Sequence, residues 1–297
     1  MGGGMPAVAT IDFHVTDECN QDCPYCWGPR GFEHEVSTAT AGRILRRIAA
    51  LGIQRVVFTG GDPVLRKDLP ALARRARNLG LEVALSTSGD ALRPSLLRRL
   101  APFVDLLSLP LDGSTEAVSQ RTKKPGHRRA VWQALTRLTR YPHIDLKVAT
   151  PVTRHNLADL PRIVEQVESF ARRAPNRVFY NVFQAFPRAM AEREWVSLLV
   201  SDSDFTRLRR RVMSKPHTIP IRWLDHRALD RLYVMILPDG SLTVPSGPDY
   251  LSFGPFLDLS DFDAVVRASP FDSDKHARHA RGWARRVPPR TRRRRAP

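Results

Sequence analysis

The sequence predicts an α/β chain, a partial (β/α)6, TIM-like barrel followed by a C-terminal α+β extension. Three observations lead to that class. From residue 7 to about residue 186, short apolar runs alternate with amphipathic helical stretches, the pattern of βα units on a parallel sheet. Parallel neighbours need right-handed crossovers, and a succession of them curls the sheet into a barrel or part of one. Beyond Phe186 the rhythm stops and an apparent hairpin takes its place.

The first strand is read at Ala7 to Thr16. The helix after it runs from about Ser37 to Leu51, with Ile44, Ile48 and Leu51 on one face and Gly52 as its stop. Strand two is Arg55 to Thr59, and its helix, about Leu69 to Leu79, is closed by Gly80. Glu82 to Ser86 is the third strand, followed by a short helix at Pro94 to Leu100. Val104 to Leu109 is the fourth, with a helix from about Arg128 to Arg140. Asp145 to Thr150 is the fifth, with a helix from about Leu157 to Arg173, and Val178 to Phe183 is the sixth. In the extension, a helix near Asp204 to Met213 precedes a hairpin. Its strands are Leu232 to Leu237 and Ser241 to Val244, turned by Pro238-Asp239-Gly240. Short helices from Ser260 and Asp272 end the ordered part near Trp283. The expected organisation is a barrel over 1–186, an extension over 187–285 that closes it, and a basic, disordered tail over 286–297.

The 297 residues carry 47 Lys plus Arg against 30 Asp plus Glu, a formal net charge of +17. Arg285, Arg286, Arg290 and Arg292 to Arg295 place much of that excess at the end. Such a run can bind nucleic acid. No aromatic residue follows Trp283, so a solvated terminus is the preferred reading and nucleic acid is not an expected partner. No stretch of eighteen apolar residues occurs, so no membrane span is expected. Met1 to Pro6 lacks the basic and apolar regions of an export signal, which points to the cytoplasm. The three cysteines all fall within eight residues. Without an export signal, such clustering argues for a metal or redox site rather than a disulfide framework.

Those cysteines stand in Asp17-Glu-Cys19-Asn-Gln-Asp-Cys23-Pro-Tyr-Cys26-Trp, in the loop after strand one. Loops at the C-terminal ends of barrel strands build active sites. Three thiolates there can hold three corners of a four-iron cluster, and with no fourth cysteine in the chain one iron stays open. The competing reading is a zinc site of the three cysteines with His14 or His34.

The spacing Cys-x3-Cys-x2-Cys, with an aromatic residue before the last Cys, resembles the signature of the radical S-adenosylmethionine superfamily. Thr59-Gly60-Gly61-Asp62-Pro63 after strand two resembles its Gly-Gly-Glu-Pro-like motif, which receives the cofactor's amino group. The resemblance implies a 4Fe–4S cluster on Cys19, Cys23 and Cys26, and S-adenosylmethionine held by Gly60, Gly61, Asp62 and Pro63. Ser86 and Ser88 after strand three and Asp112 of Leu111-Asp112-Gly113 match further cofactor-contacting positions more weakly.

A closer likeness runs to the viperin-like subgroup. Its pieces are Ile11 to Thr16, Leu146 to Asn156, Asn181 to Gln184, Asp230 to Tyr233, and Phe271-Asp272 with Lys275 and Trp283. It implies that Lys147, His14 and Asn156 contact substrate, that Gln184 contacts cofactor and that Tyr233 takes part in the radical step. Two cationic positions that grip a triphosphate in that subgroup are replaced here, around Asn181 and in Ser246 to Tyr250. A less charged substrate, such as a nucleoside or nucleotide sugar, is therefore expected, in a dehydration, decarboxylation, epimerisation or rearrangement of specialised metabolism, antibiotic biosynthesis included. The partners implied are a small molecule and a flavodoxin- or ferredoxin-type electron donor. With no further cysteine, cysteine-ligated auxiliary clusters are not expected, which counts against multi-cluster peptide-modifying relatives. An RNA-modifying radical enzyme is the alternative function.

Overall fold

The computed structural model describes residues 8–188 and 192–281. The expected basic tail, Trp283 and the start of the first predicted strand at Ala7 lie outside them. Six βα units follow in the predicted order. They are β1 (Thr10–Thr16) with α1 (Thr38–Ala50), β2 (Arg55–Gly60) with α2 (Leu69–Asn78), and β3 (Glu82–Ser86) with α3 (Pro94–Leu100). Then come β4 (Leu106–Pro110) with α4 (Glu116–Ser119) and α5 (His127–Leu138), β5 (Asp145–Val152) with α6 (Leu160–Ala171), and β6 (Val178–Gln184). Local chemistry sets the boundaries. Ser37 caps α1 by accepting the Thr40 N–H. Gly52 and Gly80 follow the ends of α1 and α2 at φ +75° and +85°, in the left-handed region where a Cβ is costly.

Among the described residues the strands form one sheet, and β1 to β6 pair in parallel, each with the next. A seventh parallel strand, β7 (Ile221–Leu224), adds to β6. Sequence reading missed it because Ile221-Arg-Trp-Leu is short and only half buried, so neither an apolar run nor a clean alternation marks it. Between β6 and β7 lie α7 (Glu192–Leu198), also unpredicted, and α8 (Asp202–Met213). After the short α9 (His226–Leu229), β8 (Met235–Ile236) joins the free side of β1 in parallel. The predicted hairpin turns at Gly240 (φ +88°) into β9 (Ser241–Ser246), and an unpredicted β10 (Asp249–Pro255) pairs with β9. The sheet order is β10-β9-β8-β1-β2-β3-β4-β5-β6-β7, with β7 and β10 at the two edges, which makes the barrel partial. Helices α10 (Phe262–Ala268) and α11 (Ser273–Arg281) complete the described chain.

The alternation along the strands decides what faces where. On β1, Ile11, Phe13 and Val15 are fully buried in the apolar layer shared with Ile44, Leu45 and Ile48 of α1. Thr10, Asp12 and His14 point the other way, into a cavity inside the sheet. Arg55, Ser86, Ser108, Lys147 and Asn181 reach the same cavity from β2 to β6. The main apolar core thus lies between sheet and helices, and the concave side mixes these polar side chains with a small apolar cluster of Ala84, Leu106 and Phe179. No described helix is long and apolar enough to cross a membrane.

Candidate active site

The cavity measures about 390 Å³ and runs from the cysteine loop at the C-terminal ends of the strands to α11 at the other end. That volume is in the range of small-molecule sites. Cys19, Cys23 and Cys26 all line it, and none forms a disulfide.

The cysteine loop is held from several sides. Gln21 donates through its amide to Asp90 and accepts the Lys124 N–H at 2.9 Å. Tyr25 donates to Asp112. Trp27 donates to the Phe186 carbonyl at 3.3 Å and packs edge-on against that ring. The backbone of the β2 loop then clamps the start of the cysteine loop. Gly61 donates to the Thr16 carbonyl at 2.8 Å, and Asp62 to the Glu18 carbonyl at 2.6 Å. A Cβ on Gly60 would overlap the Thr16 carbonyl oxygen, and one on Gly61 the carbonyl oxygens of Asp17 and Glu18. The Gly-Gly pair is required for two loops of this chain to meet, which is more than the approach to a cofactor that the sequence motif implies.

Several of the residues singled out from the sequence reach the cavity and others serve the frame. Gly60, Gly61, Ser86, Ser88, His14, Lys147, Gln184 and Tyr233 line the cavity. Asp62 is fully buried behind it, accepting from Thr87 Oγ1 at 2.6 Å, from the Ser88 hydroxyl and N–H, and from the Val64 N–H at 3.3 Å. With its carboxylate so occupied, Asp62 joins the β2 and β3 loops, and Pro63 opens a single 3₁₀ turn beside it. Asp112 also lies behind the wall, taking hydrogen bonds from Tyr25 and from Thr122 at 3.0 Å. Asn156 is buried away from the cavity, spending its amide on the carbonyls of Asp112 and Pro151 and its oxygen on the Thr153 N–H. Gln184 reaches the cavity wall, but its amide nitrogen is held by Val200 and Asp202. The structure thus places Asp62, Asp112 and Asn156 as supports for the loops rather than on the cavity surface. Buried polar side chains of this kind find partners inside the protein, and here those are chiefly hydroxyls for the two aspartates and backbone groups for Asn156.

The remaining inward side chains form a polar chamber. Asp12 and Lys147 face it from β1 and β5. Burial raises the Asp12 carboxyl to about 6, with Lys147 and Arg55 opposing the rise. Burial lowers Lys147 to about 8 and His14 to about 4, so at neutral pH Asp12 is a carboxylate, Lys147 an ammonium and His14 a neutral imidazole, with the Arg55 guanidinium beside them. His14 Nδ1 has no hydrogen-bond partner, and neither does either end of the Asn181 amide, although both residues are more than nine-tenths buried. Tyr233 stands in the same wall with its ring 6.2 Å from that of His279, and burial lifts its hydroxyl well above the usual range. Arg188, fully buried, lies over the rings of Trp27 and Phe186 at 4.5 and 4.8 Å and donates to the Gly247 carbonyl at 3.2 Å. Asp12, Arg30 and Arg188 were not singled out from the sequence. The two-residue spacing of Asp12 and His14 on a strand could have found the first. Nothing local marks the others.

The thiols fit an iron–sulfur cluster better than a zinc ion. In a four-iron cluster each cysteine takes a different iron, whereas zinc requires ligands converging on one point. Among the described residues no three His, Cys, Asp or Glu side chains converge in that way.

Comparison with known proteins bears on the same residues. The profile of the Radical SAM superfamily matches residues 13–181, more than half of the chain. The PqqA peptide cyclase of Ruegeria pomeroyi is 35% identical over 176 residues, covering 57% of this chain and 46% of that protein. The S-adenosylmethionine-dependent nucleotide dehydratase of Flammeovirga pacifica is 26% identical over 254 residues, covering 80% of this chain and 82% of that protein. Against several of the curated relatives it matches, including that cyclase, the chain spans less than half of the relative's length. In solved structures the fold is shared with anSMEcpe bound to AdoMet and a peptide. The TM-score is 0.66 at 15% identity, over 91% of this chain and 82% of that one.

Proposed function

This chain belongs to the radical SAM superfamily, an enzyme family working with a 4Fe–4S cluster and S-adenosylmethionine, and from that premise we propose that it acts on a small, polar, sparsely charged substrate of nucleoside or nucleotide-sugar type. A cluster and S-adenosylmethionine held there would supply reductive cleavage of the cofactor as the source of a hydrogen-abstracting radical. Cys19, Cys23 and Cys26 would hold the cluster, and the Gly60–Gly61 segment would border the cofactor.

The observation that carries the substrate reading is the unpartnered His14 Nδ1 and Asn181 amide in a cavity that also holds Asp12 and Lys147. Buried polar atoms without partners are costly, and a hydroxyl- and amide-bearing molecule would satisfy them. Asp12 would accept from hydroxyl or amino donors, Lys147 would donate, and neutral His14 and Asn181 would read the rest. A triphosphate would need several fixed cations with charge to spare, and the cations on this wall are each drawn to a carboxylate: Arg55 to Glu82, Arg188 to Asp230, Lys123 to Asp112 and Arg30 to Asp22. The likeness to a nucleotide dehydratase over most of both chains supports a nucleoside-like scaffold. Tyr233, on the cavity wall, would serve in the radical step. Closing the chamber against water and orienting the carbon are the protein's own contribution.

The test is 5′-deoxyadenosine release by the anaerobically reconstituted chain with dithionite, S-adenosylmethionine and one candidate at a time. Nucleosides or nucleotide sugars are expected to stimulate release and cytidine triphosphate is not. Micromolar binding of cytidine triphosphate with stimulated release would overturn the reading, and so would stimulation by a peptide or an RNA alone.

A further inference from the structure

We propose that Lys123 sets the reduction potential of the cluster, through a hydrogen bond from its ammonium to the sulfur of Cys23 that eases one-electron reduction. In sequence, Lys123, Lys124, Arg128 and Arg129 read as a basic loop after β4, either holding a phosphate or standing as a solvated helix start. The structure separates the two lysines. Lys124 is exposed, while the Lys123 side chain is 5% exposed, its Nζ 3.0 Å from Cys23 Sγ. The ammonium also lies 4.0 Å from Asp112 Oδ2 and 5.3 Å from the centre of the Tyr25 ring.

The placement is built by the backbone. Thr122, one residue before, donates to the Asp112 carboxylate that also takes the Tyr25 hydroxyl. Lys124, one residue after, donates its N–H to Gln21 of the cysteine loop. The residues on both sides of Lys123 are therefore tied to the loop that carries Cys23, which fixes the Lys123 backbone relative to that cysteine. A buried ammonium needs compensating negative charge. Asp112 supplies some, at the limit of ion-pair distance, and the sulfur supplies the closest.

Adding an electron makes the cluster and its sulfurs more negative. A cation fixed at 3.0 Å in a dry site favours that state more than the oxidised one, and hydrogen bonds to ligand sulfurs are a recognised control of cluster potential. The other two cysteines have weaker company. Cys19 accepts a backbone N–H from Gln21 at 3.4 Å. Arg30 near Cys26 is 29% exposed and shares its charge with Asp22 at 3.3 Å, so solvent screens it. The couple concerned is the gain of one electron by the cluster from an external low-potential donor, with no bond made or broken. The inference rests on family membership and on the cysteine loop, and is independent of the substrate.

The test compares reconstituted wild-type, Lys123→Met, Lys123→Arg and Asp112→Asn proteins in mediated redox titrations followed by electron paramagnetic resonance, alongside iron and sulfide content. Lys123→Met is expected to keep its iron and to reduce less readily, by about tenfold in the reduction equilibrium, or 59 mV for one electron. Lys123→Arg should stay near wild type, and Asp112→Asn, which removes a competing anion, should shift the opposite way. An unchanged midpoint in Lys123→Met overturns the proposal, including the case in which S-adenosylmethionine affinity alone is lost. Loss of iron in both Lys123 variants would also overturn it, because Lys123 would then only hold the loop in shape.

Discussion

At the scale of single residues, the concave side of this sheet is governed by pairs of side chains two positions apart. Asp12 and His14 on β1 enter the cavity for the same reason that Ile11, Phe13 and Val15 leave it. Glycine matters at one place above others. The backbone at Gly61 passes so close to Asp17 and Glu18 that any Cβ would overlap their carbonyl oxygens. Replacing Gly61 by Val is therefore expected to push the β2 loop off the cysteine loop and break the Gly61–Thr16 and Asp62–Glu18 backbone bonds. The variant should lose iron on reconstitution as well as S-adenosylmethionine affinity. Full iron content with only weaker cofactor binding would show that the two loops are not mechanically joined.

At the scale of elements, α11 acts as the floor of the chamber. His276 on this helix accepts from the N–H groups of Ala9 and Thr10, both at 3.1 Å, and donates through Nδ1 to the Leu232 carbonyl at 3.0 Å. One imidazole thus joins the start of β1, the segment before β8 and the last described helix. Changing His276 to Ala leaves buried backbone donors without a partner, at about 1–3 kcal/mol each. The expected result is a Tm lower by several degrees with iron content unchanged, read by calorimetry and iron assay. An unaltered Tm would mean that water or a shifted α11 replaces the ring at no cost. The elements themselves were largely legible beforehand, because strong periodicity and glycine stops mark α1, α2 and the first six strands. Strand β7 and helix α7 were not legible, being short and stabilised by neighbours far along the chain.

At the scale of the whole molecule, charge burial inside the barrel ties stability to pH. Four histidines, His14, His127, His276 and His279, are held below the ordinary imidazole range, chiefly by burial. Unfolded, they take up protons as pH falls through about 6.5, whereas folded His14 resists until about 4 and His279 until about 3. The unfolded chain therefore binds more protons in that window, and stability falls as the solution is acidified. Asp12, raised to about 6, and Asp62, also raised by burial, work in the opposite direction but are two groups against four. The cluster-free chain is expected to show a Tm that declines steadily from pH 6.5 to pH 4. A flat or rising Tm there would show that these imidazoles protonate without unfolding.

What the sequence determined by itself was everything set by neighbours along the chain. The βα rhythm, the helix stops at Gly52 and Gly80, the turn at Gly240 and the spacing of the three cysteines are all patterns that repeat or close within a few residues. Only the tertiary structure decided which polar residues face the cavity and which hold the frame. Asp62, Asp112 and Asn156 carry the same chemistry as Asp12 and Asn181. The Asp62 carboxylate, one oxygen of Asp112 and the Asn156 amide are spent on neighbouring loops, while Asn181 keeps its amide unpartnered in the chamber. A side chain's free valences are settled by what lies opposite it in space, and for Lys123 that partner is Cys23, 100 residues earlier in the chain.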